Sequence, residues 1–393
     1  MEKRESYSRV YYLLLFIGFS IVLGMGLVRA FLPILASDLD PSGTLVGYVV
    51  SAWFLARVFI ELPSGLLSDR IGRRRLFVLG IALAAGGALL CATASSINSL
   101  IIGRALWGFG AALFFLNNTA MLIDVFAPEV RGRALGTFQG LEFVGSLIGA
   151  PIGAFIASLF GYFSPFYVTL ALIIMSLLLA LFSRELKTIG QSPVEPTIQV
   201  SLQDSVRSLM NWGIVVISLI SFSRMLIMNG VMNAVFPIYL YEYLNFDLNL
   251  IGIVTGVRTA GFAAATIASG YLSDRMGRKP VILTGLLISA PCLYAYTIIQ
   301  SLEIILPVGI FDGIGSGLVS STLIVLLSDL VKPEFRGISI GLYRTFMDIG
   351  GVVGPIMFML IVTSSSIFTP FLVGAVLLLI MAALTLTIRQ GRH

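Results

Sequence analysis

Twelve long apolar segments, joined by short polar turns, constrain this chain more than any other feature. They run over residues 10–36, 44–68, 76–95, 97–123, 133–160, 163–183, 208–241, 249–273, 280–299, 301–328, 337–362 and 366–388. Each is close to or beyond the roughly 20 residues that carry an α-helix across about 30 Å of hydrocarbon. Hydrophobic residues make up 57% of the 393, more than a soluble core hides, so the chain reads as an integral protein of the lipid bilayer. Lipid gives the backbone no hydrogen-bond partner, and helices that pair their own N–H and C=O groups are the way across. The expected fold is all-α, with twelve transmembrane helices. A cleaved signal peptide is the other reading of the first segment. Its length of more than 20 residues, with Arg29 and Pro33 inside it, fits a retained span better.

Basic residues set the expected orientation. Of the 25 Lys and Arg, 19 flank the spans on one side: Lys3, Arg4, Arg9, Arg70, Arg73, Arg74, Arg75, Arg131, Arg133, Arg184, Lys187, Arg207, Arg275, Arg278, Lys279, Lys332, Arg336, Arg389 and Arg392. The loops of the other side carry none, and hold Asp38, Asp40, Glu242, Asp247 and Glu303. The positive-inside rule then places both termini in the cytoplasm, for a multi-pass protein of the plasma membrane. Topology accounts for the net charge of +5, and no nucleic-acid partner is needed to explain it.

A second regularity is internal. In "GLLSDRIGRRR" the residues Gly65, Asp69, Arg70, Gly72 and Arg73 become Gly270, Asp274, Arg275, Gly277 and Arg278 of "GYLSDRMGRK" when 205 is added. The same offset carries Asp124, Pro128, Glu129, Arg131, Gly132 and Gly136 onto Asp329, Pro333, Glu334, Arg336, Gly337 and Gly341, and Gly145 and Gly149 onto Gly350 and Gly354. The chain is therefore two copies of a six-helix unit, related by an axis along the membrane normal because six is even. The expected domains are residues 1–184 and 207–393, joined by a polar linker over 185–206.

The repeated G-x-x-x-D-R-x-G-R-R loop resembles the signature of the major facilitator superfamily of secondary transporters. "GRALWGFGAA", Gly103 to Ala112, is similar to that family's fourth-helix motif around a membrane arginine, here Arg104. Gly136, Gly145, Gly149 and Pro151 in the fifth span resemble its antiporter motif, with Ala150 as an insertion, and Gly341, Gly350, Gly354 and Pro355 give the uninterrupted form in the eleventh. Such glycines also serve ordinary close packing. The resemblance implies two pseudo-symmetric six-helix bundles around a central cavity, and loop charges that latch the cytoplasmic side. The latch residues would be Gly65, Asp69, Arg70, Gly72, Arg73 and Asp124, with Gly270, Asp274, Arg275, Gly277, Arg278 and Asp329. Glycine suits the tight turn, and the arginines can reach Asp124 and Asp329. The alternative is that these charges only anchor the loop and satisfy the orientation rule, which covers Arg74 and Arg75 well.

Ten charges fall inside the spans: Arg29, Arg57, Glu61, Arg104, Glu142, Arg224, Arg258, Asp312, Arg344 and Asp348. Charges there are expensive and functional by default. The family's fold places helix 2 against 11 and helix 5 against 8. With depth counted at about 1.5 Å per residue, Glu61–Arg344 and Arg57–Asp348 match across the first seam, and Glu142–Arg258 matches less well across the second. Arg224 and Asp312 are expected to pair within the C-terminal half. Local satisfaction by neutral groups is the alternative for each pair. Arg29 and Arg104 are left without an acid. They suggest an anionic substrate group or an arginine that tunes a nearby carboxylate, whereas snorkelling to the outer headgroups is the plainer account of Arg29.

Met225, Met228, Met232, Phe222 and Phe236, with Trp107, Phe109, Phe114 and Phe115, offer an adaptable apolar wall, or simply packing. Asn117, Asn118, Asn229 and Asn233 add neutral polar groups at membrane depth. Enzymatic readings fare badly: the only histidine is His393, which rules out imidazole chemistry and an H-E-x-x-H metal site, and no nucleotide-binding G-x-x-x-x-G-K-[ST] occurs. Cys91 and Cys292 are expected as free thiols, and no cofactor or metal is expected. The reading is a monomeric secondary transporter that couples a small-molecule substrate to protons by alternating access and exports lipophilic compounds. The proton carrier is sought among Asp348, Glu142, Asp312 and Glu61. Symport of an organic anion is the alternative, and a non-transporting receptor or scaffold is a third reading.

Overall fold

A computed structural model of the chain describes residues 2–126, 128–188, 211–331 and 335–388. Within these, the side chains of 2–8, 61–66, 69–70, 128–129, 131–133, 187–188 and 336–338 lie outside the description. The side chains of Glu61, Asp69 and Arg70 are thus outside the described residues, as are most of the expected linker and His393.

The helices follow the apolar segments. They are α1 (Glu2–Arg29, continued as Leu32–Leu39), α2 (Val46–Ile71), α3 (Arg73–Ala92), α4 (Ile97–Val125), α5 (Pro128–Phe160) and α6 (Ser164–Phe182). The second half repeats them as α7 (Trp212–Ile227 and its continuation to Tyr243), α8 (Leu248–Met276), α9 (Arg278–Ala295), α10 (Leu302–Leu330), α11 (Arg336–Ser364) and α12 (Thr369–Leu386). Among the described residues ten helices are long and apolar enough to cross a membrane, and α2 holds a shorter apolar stretch, Val46–Ile60. The remaining helix, α9, opens on Arg278 and Lys279.

The boundaries depart from expectation at the repeated loop. Spans expected to end at 68 and 273 run on to Ile71 and Met276, so Asp274 and Arg275 sit in the last turn of α8. The turn proper is a single residue in each half, Gly72 with φ +95° and Gly277 with φ +88°. A Cβ on Gly72 would meet nothing within 4 Å. The demand for glycine there is torsional, because a side chain is disfavoured at such φ. Gly72→Ala is expected to cost about 1 kcal/mol, read as a lower melting temperature of the purified protein.

Two spans are interrupted. In α1 the helix breaks at residues 30–31 and restarts with Pro33 in its first turn, where a missing N–H costs nothing. In α7 the turns widen into π-helix over Met228–Val235 and again over Tyr239–Tyr243. Phe236 N–H bonds the carbonyl of Val231, five residues back. π-Turns of this kind occur often at functional sites.

The chain divides into two compact units, one of Met1–Pro41, Tyr48–Glu195 and Asp247–Gly252, the other of Ser42–Gly47, Pro196–Phe246 and Ile253–His393. Small residues hold each unit together, as expected where lipid supplies no hydrophobic drive between helices. In the first, Gly80 faces Gly110 and Gly87 faces Gly103, so α3 and α4 touch backbone to backbone, and α5 lies on α1 through Gly145 and Gly149. The second repeats this design, with α9 against α10 at Gly285 and Gly315, and α11 against α7 at Gly350 and Gly354.

Candidate functional site

Both copies of the loop motif pair the arginine that opens one helix with an aspartate at the end of the next. Arg73, the first residue of α3, forms an ion pair with Asp124 in the last turn of α4 and donates to the carbonyl of Ala120 at 3.2 Å. A carboxylate is unfavourable at the negative end of a helix dipole, and the arginine offsets it. In the second unit Arg278 pairs with Asp329 at 3.3 Å and with Asp274, and donates to Ser273 Oγ at 2.6 Å. Arg275 points elsewhere, its guanidinium 4.3 Å from the centre of the Tyr271 ring. Of the motif glycines, Gly72 and Gly277 have positive φ, whereas Gly270 is helical and a Cβ there would meet nothing within 4 Å.

A contact missed by the sequence reading lies next to this cluster. Arg74 donates to the carbonyls of Ala180 and Leu181 at 3.3 and 3.0 Å, closing the C-terminal end of α6. Lys279, its equivalent under the 205 offset, donates to those of Leu386 and Ile388 at 2.6 and 3.1 Å, at the end of α12. Cations are well placed at helix C-termini, which expose unpaired carbonyls. The signal was present in the repeat: a basic residue at both 74 and 279, in each copy of a six-helix unit that ends on an unsatisfied helix terminus.

The buried charges of the second unit arrange themselves differently from expectation. Arg258 on α8, expected to pair with Glu142, instead donates from Nε to Asp312 Oδ2 on α10 at 2.5 Å, with both side chains buried. Asp312, expected to pair with Arg224, is thereby taken. The cause is glycine: a Cβ on Gly313 would strike the Arg258 carbonyl, and one on Gly317 that of Phe262. These gaps bring α10 onto α8, so the side chain next to Gly313 reaches Arg258. Counting depth along single helices could not show which helices touch. Among the described residues Arg258 Nη2 meets the thioether of Met228, at 3.4 Å, a weak acceptor. Arg224 is 9% exposed, and among the described residues its Nε has no hydrogen-bond partner. Both arginines line a small cavity of about 20 Å³, with Asp312, Ser289, Ser316, Met228 and Met232.

In the first unit Arg29 donates to Ser146 Oγ on α5 at 3.0 Å, a neutral partner where no acid was left for it. The Arg104 guanidinium lies 5.4 Å from the centre of the Trp107 ring. Its Nε is buried without a hydrogen-bond partner among the described residues, as is Oε1 of Glu142. Arg57 sits 4.8 Å from the Trp53 ring. On α11, Asp348 is buried and Arg344 exposed.

The apolar wall resolves into two groups. Trp107 and Phe114 are fully buried, and Phe114 lies 5.3 Å from the ring of Phe77. Phe236 is enclosed by Tyr239, Tyr296 and Phe371. These aromatics pack their own unit, and Met228 and Met232 remain as cavity lining. Asn117 accepts from Ser68 Oγ at 3.0 Å, tying α2 to α4, and Asn233 donates to Asn229 at 3.0 Å within the widened part of α7.

Known proteins share this architecture. Multidrug resistance protein 1 of Bacillus subtilis (strain 168) is 26% identical over 397 residues, covering 100% of this chain and 99% of its own. Quinolone resistance protein NorA of Staphylococcus aureus (strain MSSA476) is 22% identical over 88% of each chain. Among solved structures, a bacterial homolog to the human lysosomal transporter Spinster, inward-facing and unoccupied, superposes with a TM-score of 0.81 at 16% identity, over 97% of this chain and 96% of its own. The nucleoside transporter NupG gives 0.75 at 16% identity, over 95% and 99%. The family model described as Major Facilitator Superfamily matches residues 14–232 and 217–392. Nearly the whole chain is covered, its helices follow the twelve-span order, and both signature loops share the positive-φ glycine and the arginine–aspartate pair: the protein belongs to the Major Facilitator Superfamily, as a multi-pass membrane transporter of small molecules.

Proposed function

We propose that the protein is a proton-coupled secondary transporter that exports lipophilic, drug-like molecules from the cell by alternating access. The observation that carries this reading is the end-to-end likeness to Multidrug resistance protein 1 of Bacillus subtilis. Methionines beside buried charges support it, since flexible thioether side chains accept varied apolar ligands. The transporter works as a monomer in the plasma membrane with both termini in the cytoplasm; the distribution of Lys and Arg supports that orientation. The motif clusters at Arg73–Asp124 and Arg278–Asp329 serve as the gate on that side.

Coupling needs an acid that is charged in one conformation and neutral in the other. Asp348 and Glu142 are the first candidates for proton carrier, followed by Asp312 and Glu61. For Asp312 the consequence of protonation is direct: it gives up its charge and frees Arg258. The test is proton movement in liposomes that hold the purified protein and an internal pH dye. Addition of a transported lipophile should collapse a preset pH gradient, and Asp348→Asn or Glu142→Gln should slow that collapse at least about tenfold with substrate binding retained. Full coupled transport in both variants would remove Asp348 and Glu142 as carriers. No proton movement with any lipophile, in protein that binds it, would remove the export reading.

A further inference from the structure

The membrane-embedded charges do not balance: six arginines face four acids. In the second unit the imbalance has an address. Arg258 and Asp312 neutralise each other, which leaves the charge of Arg224 in the same small cavity, nine-tenths buried and with Nε unpartnered among the described residues. A buried guanidinium N–H without an acceptor is unfavourable, so the Nε of Arg224 points to a partner that arrives later. The surroundings agree on its sign. Arg258 spends Nη2 on the weak acceptor Met228 Sδ, and Ser289 and Ser316 add hydroxyls. The Ser289 hydroxyl leans on the Asp312 carbonyl at 3.5 Å, so the two arginines are the strong donors of the lining, and its one acid is already engaged.

We propose that this cavity among α7, α8 and α10 receives the anionic end of the transported lipophile, a carboxylate or sulfonate, with Arg224 as its charged contact. The inference rests on the export reading and narrows its substrate class. At about 20 Å³, little more than one water in size, the cavity takes the tip of the anionic group alone; the apolar body of the molecule stays outside, next to the thioethers of Met228 and Met232 that line it. Arg258 Nη2 exchanges a thioether, a weak acceptor, for an oxyanion, and a hydrogen bond between two ionised groups is the stronger one. A lipophilic cation meets an uncompensated positive charge at the same place and is disfavoured.

Calorimetric binding of 2-naphthoate and of its neutral isostere 2-naphthamide to the purified full-length protein tests this without any gradient. Wild type should bind the acid at least about tenfold more tightly than the amide. Arg224→Ala should abolish that preference while amide binding is kept, and Arg224→Lys should restore part of it, which a merely structural role would not do. Equal affinity for acid and amide, a preference that survives Arg224→Ala, or no binding of either would overturn the proposal. If Arg224→Ala does not fold, an acid preference in wild type that is unchanged in Arg224→Gln overturns it in the same way. Competition by excess chloride that erases the acid's advantage would assign the cavity to a free inorganic anion, and the proposal falls. Acid preference without proton movement in the liposome assay would leave this site standing and remove the export reading, whereas proton-coupled export of neutral lipophiles alone would do the reverse.

Discussion

Asp312→Ala is expected to destabilise the protein by about 3–5 kcal/mol, the range for removing one partner of a buried ion pair. The loss comes less from the pair itself than from what remains. Arg258 stays buried between α8 and α10 with its Nε deprived of the carboxylate and its Nη2 on a thioether. Gly313 and Gly317 press the two helices together, so the guanidinium has no easy route to water. The double variant Arg258→Met with Asp312→Ala should recover most of the loss, because an apolar pair needs no compensation in that setting. Thermal unfolding in detergent, followed by the fraction that stays monodisperse after heating, reads both. If single and double variants melt together well below wild type, the carboxylate stabilises the fold through some contact other than Arg258.

Gly354→Val should be nearly as damaging, at about 1–3 kcal/mol, from forcing a side chain into a filled contact. A Cβ there would strike the Leu226 carbonyl, and Gly230 on the same stretch of α7 already abuts the Gly354 carbonyl and the Phe358 ring. Backbone atoms cannot step aside as a side-chain tip can. Gly341, thirteen residues earlier in the same glycine motif, gives the contrast: a Cβ there would meet nothing within 4 Å. Gly341→Ala should leave the melting temperature unchanged or slightly raised, since alanine is the better helix former. One series of melting curves separates the two positions, and a loss of stability in Gly341→Ala equal to that in Gly354→Val would mean that the motif glycines act as one packing stripe. The first-unit positions divide the same way, with Gly136 open and Gly149 against Gly26.

This division shows how far the sequence could be read. The repeat put glycines at 136 and 341 on the same footing as those at 149 and 354, because a period of 205 records equivalence between halves and says nothing of what each residue touches. Arg57 and Arg104 illustrate the same limit. Each lies over a tryptophan of its own helix, Trp53 and Trp107, at spacings of four and three residues that put neighbours on one helical face. Spacing alone places each arginine beside its tryptophan, whereas charge pairing along the sequence points only to acids.

By itself the sequence determined the twelve spans, the doubled six-helix unit and the glycine demanded at 72 and 277, and it named Asp124 and Asp329 as partners within reach of the motif arginines. Hydrophobic length and backbone torsion are local properties, and a repeated register marks equivalent partners twice over. Only the tertiary structure decided that Arg258 rather than Arg224 takes Asp312, that Arg74 and Lys279 close the ends of α6 and α12, that Trp107 and Phe114 pack inside their unit, and that α7 widens at Met228. A soluble helix shows its buried side as an apolar stripe. A membrane helix is apolar all round, so its inward face is set by where small residues let another backbone come close, and that is a property of two helices together.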